Sequence, residues 1–163
     1  MKTQYDKAFI KYTAKYLPGV DWRLLKAQGL AESNLDPDAE SPAGAVGVMQ
    51  FMPDTWSDMC AELKWSNADR KDPEKSIEAG AHYMAKLIKG WSSPRPDIDR
   101  YCLALASYNA GFGNLLKAQK KAGGSHMYAD IIRRLPDITG EFSGETIAYV
   151  RRILNYYNQL VTG

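Results

Sequence analysis

The sequence contains no run of apolar residues long enough to cross a bilayer. A membrane-spanning helix needs about 20 consecutive, mostly apolar residues, and no apolar run among these 163 residues approaches that length. The N-terminus, MKTQYDKAFIKYTAKYLPG, also lacks the apolar core of about 7–15 residues and the small-residue cleavage site of a secretory signal. We therefore expect no membrane insertion, and a protein that is made in the cytoplasm or is a piece of a larger one.

Cysteine and histidine are scarce. Cys60 and Cys102 fall inside predicted helices and form no disulfide framework, so we expect free thiols in a reducing compartment. His82 and His126 are not spaced with the cysteines as zinc ligands are. The sequence therefore predicts no metal site, and no cofactor is expected.

A surplus of charge of one sign is also missing, since the formal net charge is only +2. Basic residues do occur in groups, but solvated helix faces explain such groups best; they are Lys117, Lys120, Lys121, Arg133-Arg134 and Arg151-Arg152. A nucleic-acid-binding surface would need a larger basic field with interleaved aromatic residues. We expect no nucleic-acid partner, and a monomer.

Helical periodicity runs from end to end, without strand-like alternation or internal repeats. Tyr5, Phe9, Tyr12 and Tyr16 recur at spacings of four and three and form a stripe that is typical of a helix core face. The pattern predicts helices at about 5–16, 22–34, 53–63, 73–90, 98–110, 114–122, 127–135 and 144–161, and a polar loop at 64–71. The expected N-terminal caps are Asp21, Asp72, Asp97 and Ser143. A length of 163 residues suits one mostly α domain, 1–163.

The stretch from Ala31 to Thr55 carries the strongest chemical signal. The second helix should end before Asp36-Pro37 and present Glu32 to a loop of small residues at 41–50. Gly29, one turn earlier, should leave the space beneath the carboxylate open. An apolar lining would raise the pKa of Glu32 and keep it protonated for general acid catalysis on a glycosidic oxygen; the expected lining is Val46, Val48, Met49 and Met52.

Three blocks of this sequence resemble the signature of the soluble lytic transglycosylases, the lysozyme-like peptidoglycan lyases. They are Glu32-Ser33 followed by Ser41-x-x-Gly-Ala-x-Gly-x-Met-Gln50-x-Met52-Pro53-x-Thr55, then Ser107-Tyr108-Asn109-Ala110-Gly111, and last Glu145-Thr146-x-x-Tyr149-Val150. The resemblance implies a lysozyme-like fold of the goose-type lysozyme and lytic transglycosylase kind, with room for a short hairpin in the 40–52 loop. Val48 and Ser107 depart from the usual leucine and alanine, and we expect Ser107 to adjust sugar contacts.

The resemblance also implies a mechanism with one acid. Glu32 would protonate the oxygen between N-acetylmuramic acid and N-acetylglucosamine, the muramic acetamido group would stabilise the cationic carbon, and Glu32 would then deprotonate the C6 hydroxyl to close a 1,6-anhydro ring. The partner would be the peptidoglycan glycan strand. The positions that match substrate-binding residues of the family are Ser41, Gln50, Met52, Tyr108, Asn109, Glu145 and Tyr149.

Several alternatives stay open. A goose-type lysozyme would hydrolyse the same bond with water, activated by Asp36 or Asp54. Asp36, Asp38 and Glu40 are instead expected to face solvent, and the dipole of the third helix explains Asp54. A wall-binding module without turnover is a second alternative. Three candidate residues could also have a purely structural role. Tyr108 could be a core tyrosine, Asn109 could cap a turn, and the helix dipole could favour Glu145 in the first turn of its helix. The expected setting is a phage endolysin that reaches the wall through a holin, with a tail lysin or a secretion-associated enzyme as alternatives.

Overall fold

The computed structural model describes residues 1–163, and helices make up most of the chain. The elements are α1 (Asp6–Tyr16), α2 (Trp22–Ser33), α3 (Pro53–Leu63), α4 (Pro73–Gly90), α5 (Asp97–Ala110), α6 (Phe112–Lys121), α7 (Tyr128–Arg133), α8 (Pro136–Thr139), a 3-10 turn (Gly140–Phe142) and α9 (Ser143–Thr162). No strand forms, so the mostly α prediction is confirmed. Not one helix combines the length and the apolar character that crossing a membrane would require.

Two of the four predicted N-terminal caps are confirmed. A side-chain oxygen of Asp21 accepts a hydrogen bond from the Arg23 backbone N–H at 3.0 Å, and Asp72 accepts one from Lys75 at 3.1 Å. The prediction for Asp97 was wrong, because Pro96 is the flanking residue of α5 and Asp97 is already helical. Ser143 is likewise the first residue of α9 and not its cap, because the 3-10 turn runs straight into that helix.

The helices between α5 and α9 differ from their predicted limits. Gly111, with φ of 96°, ends α5 and at the same time begins α6, so α6 starts at Phe112, earlier than predicted. The helix predicted at 127–135 is observed as the shorter α7, and Pro136 opens the separate short helix α8, which was not predicted. Proline suits this first helical position, where its missing N–H costs nothing.

The chain divides into two compact units, the first formed by Met1–Tyr83 with Ile153–Gly163 and the second by Met84–Arg152. In the first unit α1 packs against α2. Phe9 and Tyr12 of the aromatic stripe are buried, as predicted for a core face, while Tyr5 and Tyr16 at its ends are half-buried. The assignment of a single domain over 1–163 stays a prediction.

The N-terminal cap of α2 is also the anchor for the C-terminal helix of the first unit. The Tyr157 hydroxyl of α9 donates a hydrogen bond to Asp21 Oδ2 at 3.0 Å, and Arg23 forms an ion pair with the same carboxylate at 2.8 Å. Chiefly because Arg23 donates to it, the pKa of Asp21 falls from 3.8 to about 2. One ionised side chain therefore links the start of α2 to α9.

In the second unit, α5 is buried from Tyr101 to Ser107, as the all-round apolar pattern predicted, and α6 packs beside it. The indole N–H of Trp91 donates to Ser107 Oγ at 3.0 Å, and that hydroxyl donates in turn to the Leu103 carbonyl at 2.7 Å. Ser107 is fully buried. The expectation that it adjusts sugar contacts was wrong, because its hydroxyl bonds to the buried tryptophan.

Candidate active site

Glu32 lies in the last turn of α2 and is half-buried. The helix ends at Ser33 because Asn34 and Leu35 both adopt left-handed backbone conformations, with φ of 53° and 60°. Two consecutive left-handed residues other than glycine are costly, and Leu35 is held there by burial of its side chain. The carboxylate therefore stands at a sharply ended and tightly packed helix terminus.

Ser33 joins this helix terminus to the loop that follows it. Its hydroxyl lies 2.7 Å from the carbonyl oxygen of Val48 and 3.3 Å from that of Gly29. The residue directly after Glu32 is thus bonded to the middle of the 41–51 segment. The motif that contains Ser33 predicts no role for it, because its partner Val48 lies 15 residues away in the sequence.

Of the four apolar residues expected to line Glu32, three are buried and one is exposed. Val46, Val48 and Met49 are buried, but Met52 is 42% exposed at the flank of α3, so its place in a buried lining was wrong. The prediction of open space at Gly29 was also wrong. A Cβ there would lie 3.0 Å from Leu35, 3.1 Å from Phe9 and 3.5 Å from Met49, so these side chains already fill that space.

The 41–51 segment is a compact loop that bonds largely to itself. Val46 forms isolated antiparallel bridges with Glu40 and Phe51, which do not extend into the hairpin that the sequence allowed. Gln50 Nε2 donates to the carbonyls of Ala39 and Gly47 at 3.1 and 2.9 Å. Ser41 Oγ accepts the Ala45 N–H at 3.0 Å. Both candidate substrate-binding side chains are therefore held in place by the loop that carries them.

Two residues outside the predicted site form hydrogen bonds to this loop: one lies between α3 and α4, and the other lies in α4. Arg70 Nη1 donates to the carbonyls of Gly44 and Phe51, each at 2.9 Å. The buried hydroxyl of Ser76 accepts the Met49 N–H at 3.1 Å. Arg70 lies in the polar loop predicted at 64–71, and helical periodicity contains no signal that could have paired it with Gly44.

The candidate residues of the second unit differ in exposure. Asn109 Oδ1 accepts a hydrogen bond from the buried Thr146 hydroxyl at 2.7 Å, which links the end of α5 to α9. Tyr108 and Asn109 are half-buried, and Glu145 is exposed. Tyr149 is only 1% exposed. Their four-residue spacing predicted that Glu145 and Tyr149 form one wall together, but the two do not share an exposed face.

Among the acidic residues that follow Glu32, Asp36, Asp38 and Glu40 are exposed, as expected. Asp54, in the first turn of α3, is exposed as well. Glu40 forms an ion pair with Lys71 at 3.3 Å, and Asp36 accepts the Asp38 N–H at 2.9 Å. These contacts are typical of surface carboxylates, and they leave Glu32 as the half-buried acid among them.

Comparison with protein families gives one match that covers most of the chain. The model described as "Transglycosylase SLT domain" matches residues 7–131. This range contains Glu32, the 41–51 loop and the Ser107–Gly111 block, but not the Glu145–Val150 block.

Curated relatives carry the name membrane-bound lytic murein transglycosylase F. The protein from Alteromonas mediterranea is 36% identical over 174 residues, which cover 98% of this chain and 35% of the relative. The protein from Alcanivorax borkumensis is 35% identical over 158 residues, or 88% of this chain and 32% of the relative. The chain thus spans about a third of the length of the curated relatives it matches.

Solved structures share the fold. The 70 kDa soluble lytic transglycosylase of Escherichia coli superposes with a TM-score of 0.77 at 24% identity, over 99% of this chain and 25% of that one. An inactive variant of a Pseudomonas aeruginosa lytic transglycosylase, in which a glutamine replaces a glutamate, gives a TM-score of 0.76 at 24% identity, over 98% and 25%. These likenesses confirm the predicted lysozyme-like fold class.

Proposed function

Because the chain belongs to the Transglycosylase SLT domain family, we propose that it is a peptidoglycan lytic transglycosylase with Glu32 as its single general acid and base. The observation that carries the proposal is the family match over residues 7–131, which includes Glu32 and the loop bonded to its neighbour Ser33. The names of the relatives support the reaction class. The inactive glutamate-to-glutamine variant of the Pseudomonas protein supports a glutamate as the essential group.

In the proposed reaction one carboxyl group transfers a proton twice. Glu32 first donates its proton to the oxygen that links C1 of N-acetylmuramic acid to C4 of N-acetylglucosamine, and the C1–O bond breaks. The muramic acetamido oxygen stabilises the positive charge at C1. Glu32, now ionised, takes the proton of the C6 hydroxyl, and O6 bonds to C1 to give the 1,6-anhydro sugar. No water is consumed, and general acid–base catalysis of this kind typically contributes about 10²–10⁴-fold.

The first unit offers polar groups for sugar recognition on the 41–52 segment. Gln50 uses its amide N–H groups within the loop, so its Oε1 is the atom that can accept from a sugar hydroxyl or an acetamido N–H. Ser41 Oγ accepts from Ala45, so its O–H can donate to the substrate. The exposed side chain of Met52 can contact the apolar face of a sugar ring. We keep Tyr108, Asn109, Glu145 and Tyr149 as proposed substrate-binding residues of the second unit.

The test compares Glu32→Gln with wild type on purified peptidoglycan. We expect wild type to release 1,6-anhydro muropeptides, which mass spectrometry identifies because they are lighter by one water than hydrolysis products. Glu32→Gln should bind the wall and release none, since the amide cannot donate and regain a proton. The matched control is Glu74→Gln, the same change at an exposed glutamate in the first turn of α4, and it should keep full activity.

Other results would change the assignment. Products that contain the extra water would identify a goose-type hydrolase. Wall binding without any release by wild type would identify a non-catalytic wall-binding module. Undiminished release by Glu32→Gln would show that another residue carries the proton.

The biological setting that we propose is host-cell lysis by a bacteriophage endolysin acting as a monomer. The enzyme would be made in the cytoplasm and would reach the wall through a holin. Lysis of bacteria that express the chain together with a holin, but not of those that express it alone, is the result that supports this setting. Lysis without the holin would contradict it.

A further inference from the structure

Arg70 lies in the segment between α3 and α4, and its side chain reaches both ends of the 44–51 part of the loop. A single nitrogen, Nη1, donates to the carbonyl oxygens of Gly44 and Phe51 at 2.9 Å each. The same Phe51 carbonyl also accepts the Val46 N–H at 3.1 Å. One guanidinium group therefore closes the loop across two carbonyls that lie seven residues apart in sequence.

The backbone of Arg70 contacts the middle of the same loop. Gly47 has φ of 91°, and a Cβ built on it would lie 2.2 Å from the Arg70 carbonyl oxygen and 3.2 Å from the carbonyl carbon. Main chain is the obstacle here, so no side chain could be accommodated by a small rotamer change. Arg70 thus holds the two ends of the loop with its side chain and lies against its centre with its backbone.

The loop in turn connects Gln50 to the helix terminus of Glu32. The carbonyl of Val48 bonds to Ser33 at 2.7 Å, and Gln50 bonds to the carbonyl of Gly47 at 2.9 Å. A shift of the loop ends would therefore move the Gln50 amide relative to the carboxylate. Such shifts matter because a misplacement of about 1 Å at a reacting centre can cost about 10²-fold in rate.

We propose that Arg70 is a positioning residue of this enzyme, which sets the place of the substrate-binding loop relative to Glu32 without touching the substrate. The inference rests on the proposed function, since it assumes that Gln50 and Ser41 hold the sugar. Arginine suits the task because its planar group presents donors in fixed directions, whereas a lysine ammonium is a flexible point charge. Arg70 is half-buried, so water can replace its hydrogen bonds when it is removed. The main loss should then be in rate and not in folding.

Arg100 provides a matched control. In the second unit its Nε donates to the Trp91 carbonyl at 2.9 Å and its Nη2 to the Ser93 carbonyl at 3.0 Å. It is also half-buried and also bonds two backbone carbonyls of a connecting segment. That segment carries none of the proposed site residues. Arg100→Ala therefore measures how much thermal stability is lost when such a side chain is removed at a place where no positioning role is proposed.

The experiment measures kcat, KM and thermal midpoints for wild type, Arg70→Ala, Arg70→Lys and Arg100→Ala with soluble, uncross-linked glycan strands. We expect Arg70→Ala to lower kcat/KM about 10- to 100-fold through both kcat and KM, because the displaced loop carries the proposed sugar-binding side chains, with a thermal shift similar to that of Arg100→Ala. Arg70→Lys should retain an intermediate rate. Added guanidinium ion at millimolar concentration should restore part of the rate to Arg70→Ala, and none to Arg100→Ala.

The opposite results would overturn the inference. Equal thermal shifts in Arg70→Ala and Arg100→Ala, with unchanged kcat/KM in both, would make Arg70 a structural residue only. If Arg70→Ala does not fold, a wild-type kcat for the folded Arg70→Lys protein would overturn it as well. Should wild type prove inactive, the proposed function fails but the loop can still be tested. Weaker binding of chitotetraose by Arg70→Ala than by wild type and Arg100→Ala would then support the positioning role, and equal binding would refute it.

Discussion

Replacing Ser107 by alanine should destabilise the protein because it leaves a buried indole N–H without a partner. Trp91 Nε1 donates to Ser107 Oγ at 3.0 Å, and both residues are buried. The Leu103 carbonyl keeps the ordinary helical N–H bond of residue 107 when the hydroxyl is lost. An unsatisfied buried donor costs about 1–3 kcal/mol. For a chain of this length each kcal/mol lowers the thermal midpoint by about 2–4 °C, so we expect a fall of about 2–12 °C.

A double-mutant cycle separates the lost hydrogen bond from other effects of the substitution. Phenylalanine at position 91 has no N–H, so Ser107→Ala should cost much less in a Trp91→Phe background than in wild type. Free energies of unfolding from urea titrations of the four proteins give the coupling between the two positions. An equal loss of unfolding free energy in both backgrounds would show that the hydrogen bond to Trp91 is not what Ser107→Ala removes. A loss in wild type of less than about 0.5 kcal/mol, the lower end for a typical hydrogen bond, would show the same.

Two further predictions follow from titratable groups. The pKa of Asp21 is lowered from 3.8 to about 2, chiefly by the hydrogen bond from Arg23; its ionised form therefore stabilises the fold above pH about 4, and this contribution is lost as the pH falls through about 2. Thermal midpoints of Asp21→Asn should consequently lie below those of wild type at neutral pH and converge with them in acid, and a gap of constant size would contradict this. Burial raises the pKa of Cys102 to about 11 and also raises that of Cys60, but Cys60 is only half-buried and its thiol is the more accessible of the two. Ellman's reagent at pH 8 should therefore modify Cys60 first, and Cys60→Ser should remove the fast phase; an unchanged fast phase in that variant would show the order to be wrong.

Local sequence patterns determined the helical elements and several of their ends. Apolar spacing identified the core face around Phe9 and Tyr12, and the all-apolar run before Ser107 identified the buried helix α5. Asp21 and Asp72 were recognisable as caps because a cap bonds to a backbone N–H only two or three residues away. The three motif blocks identified the family, which the match over 7–131 confirms.

The tertiary structure alone decided which distant groups meet. Trp91 with Ser107, Arg70 with Gly44 and Asn109 with Thr146 are separated by 16, 26 and 37 residues. The same holds for the contacts that surround Gly29 and for the exposure of Met52. Periodicity reports which side of a helix is buried, because burial repeats with the helical turn. A single hydrogen bond between two distant segments does not repeat along the sequence. How the helices pack determines which two residues form it, so the local sequence pattern cannot predict it.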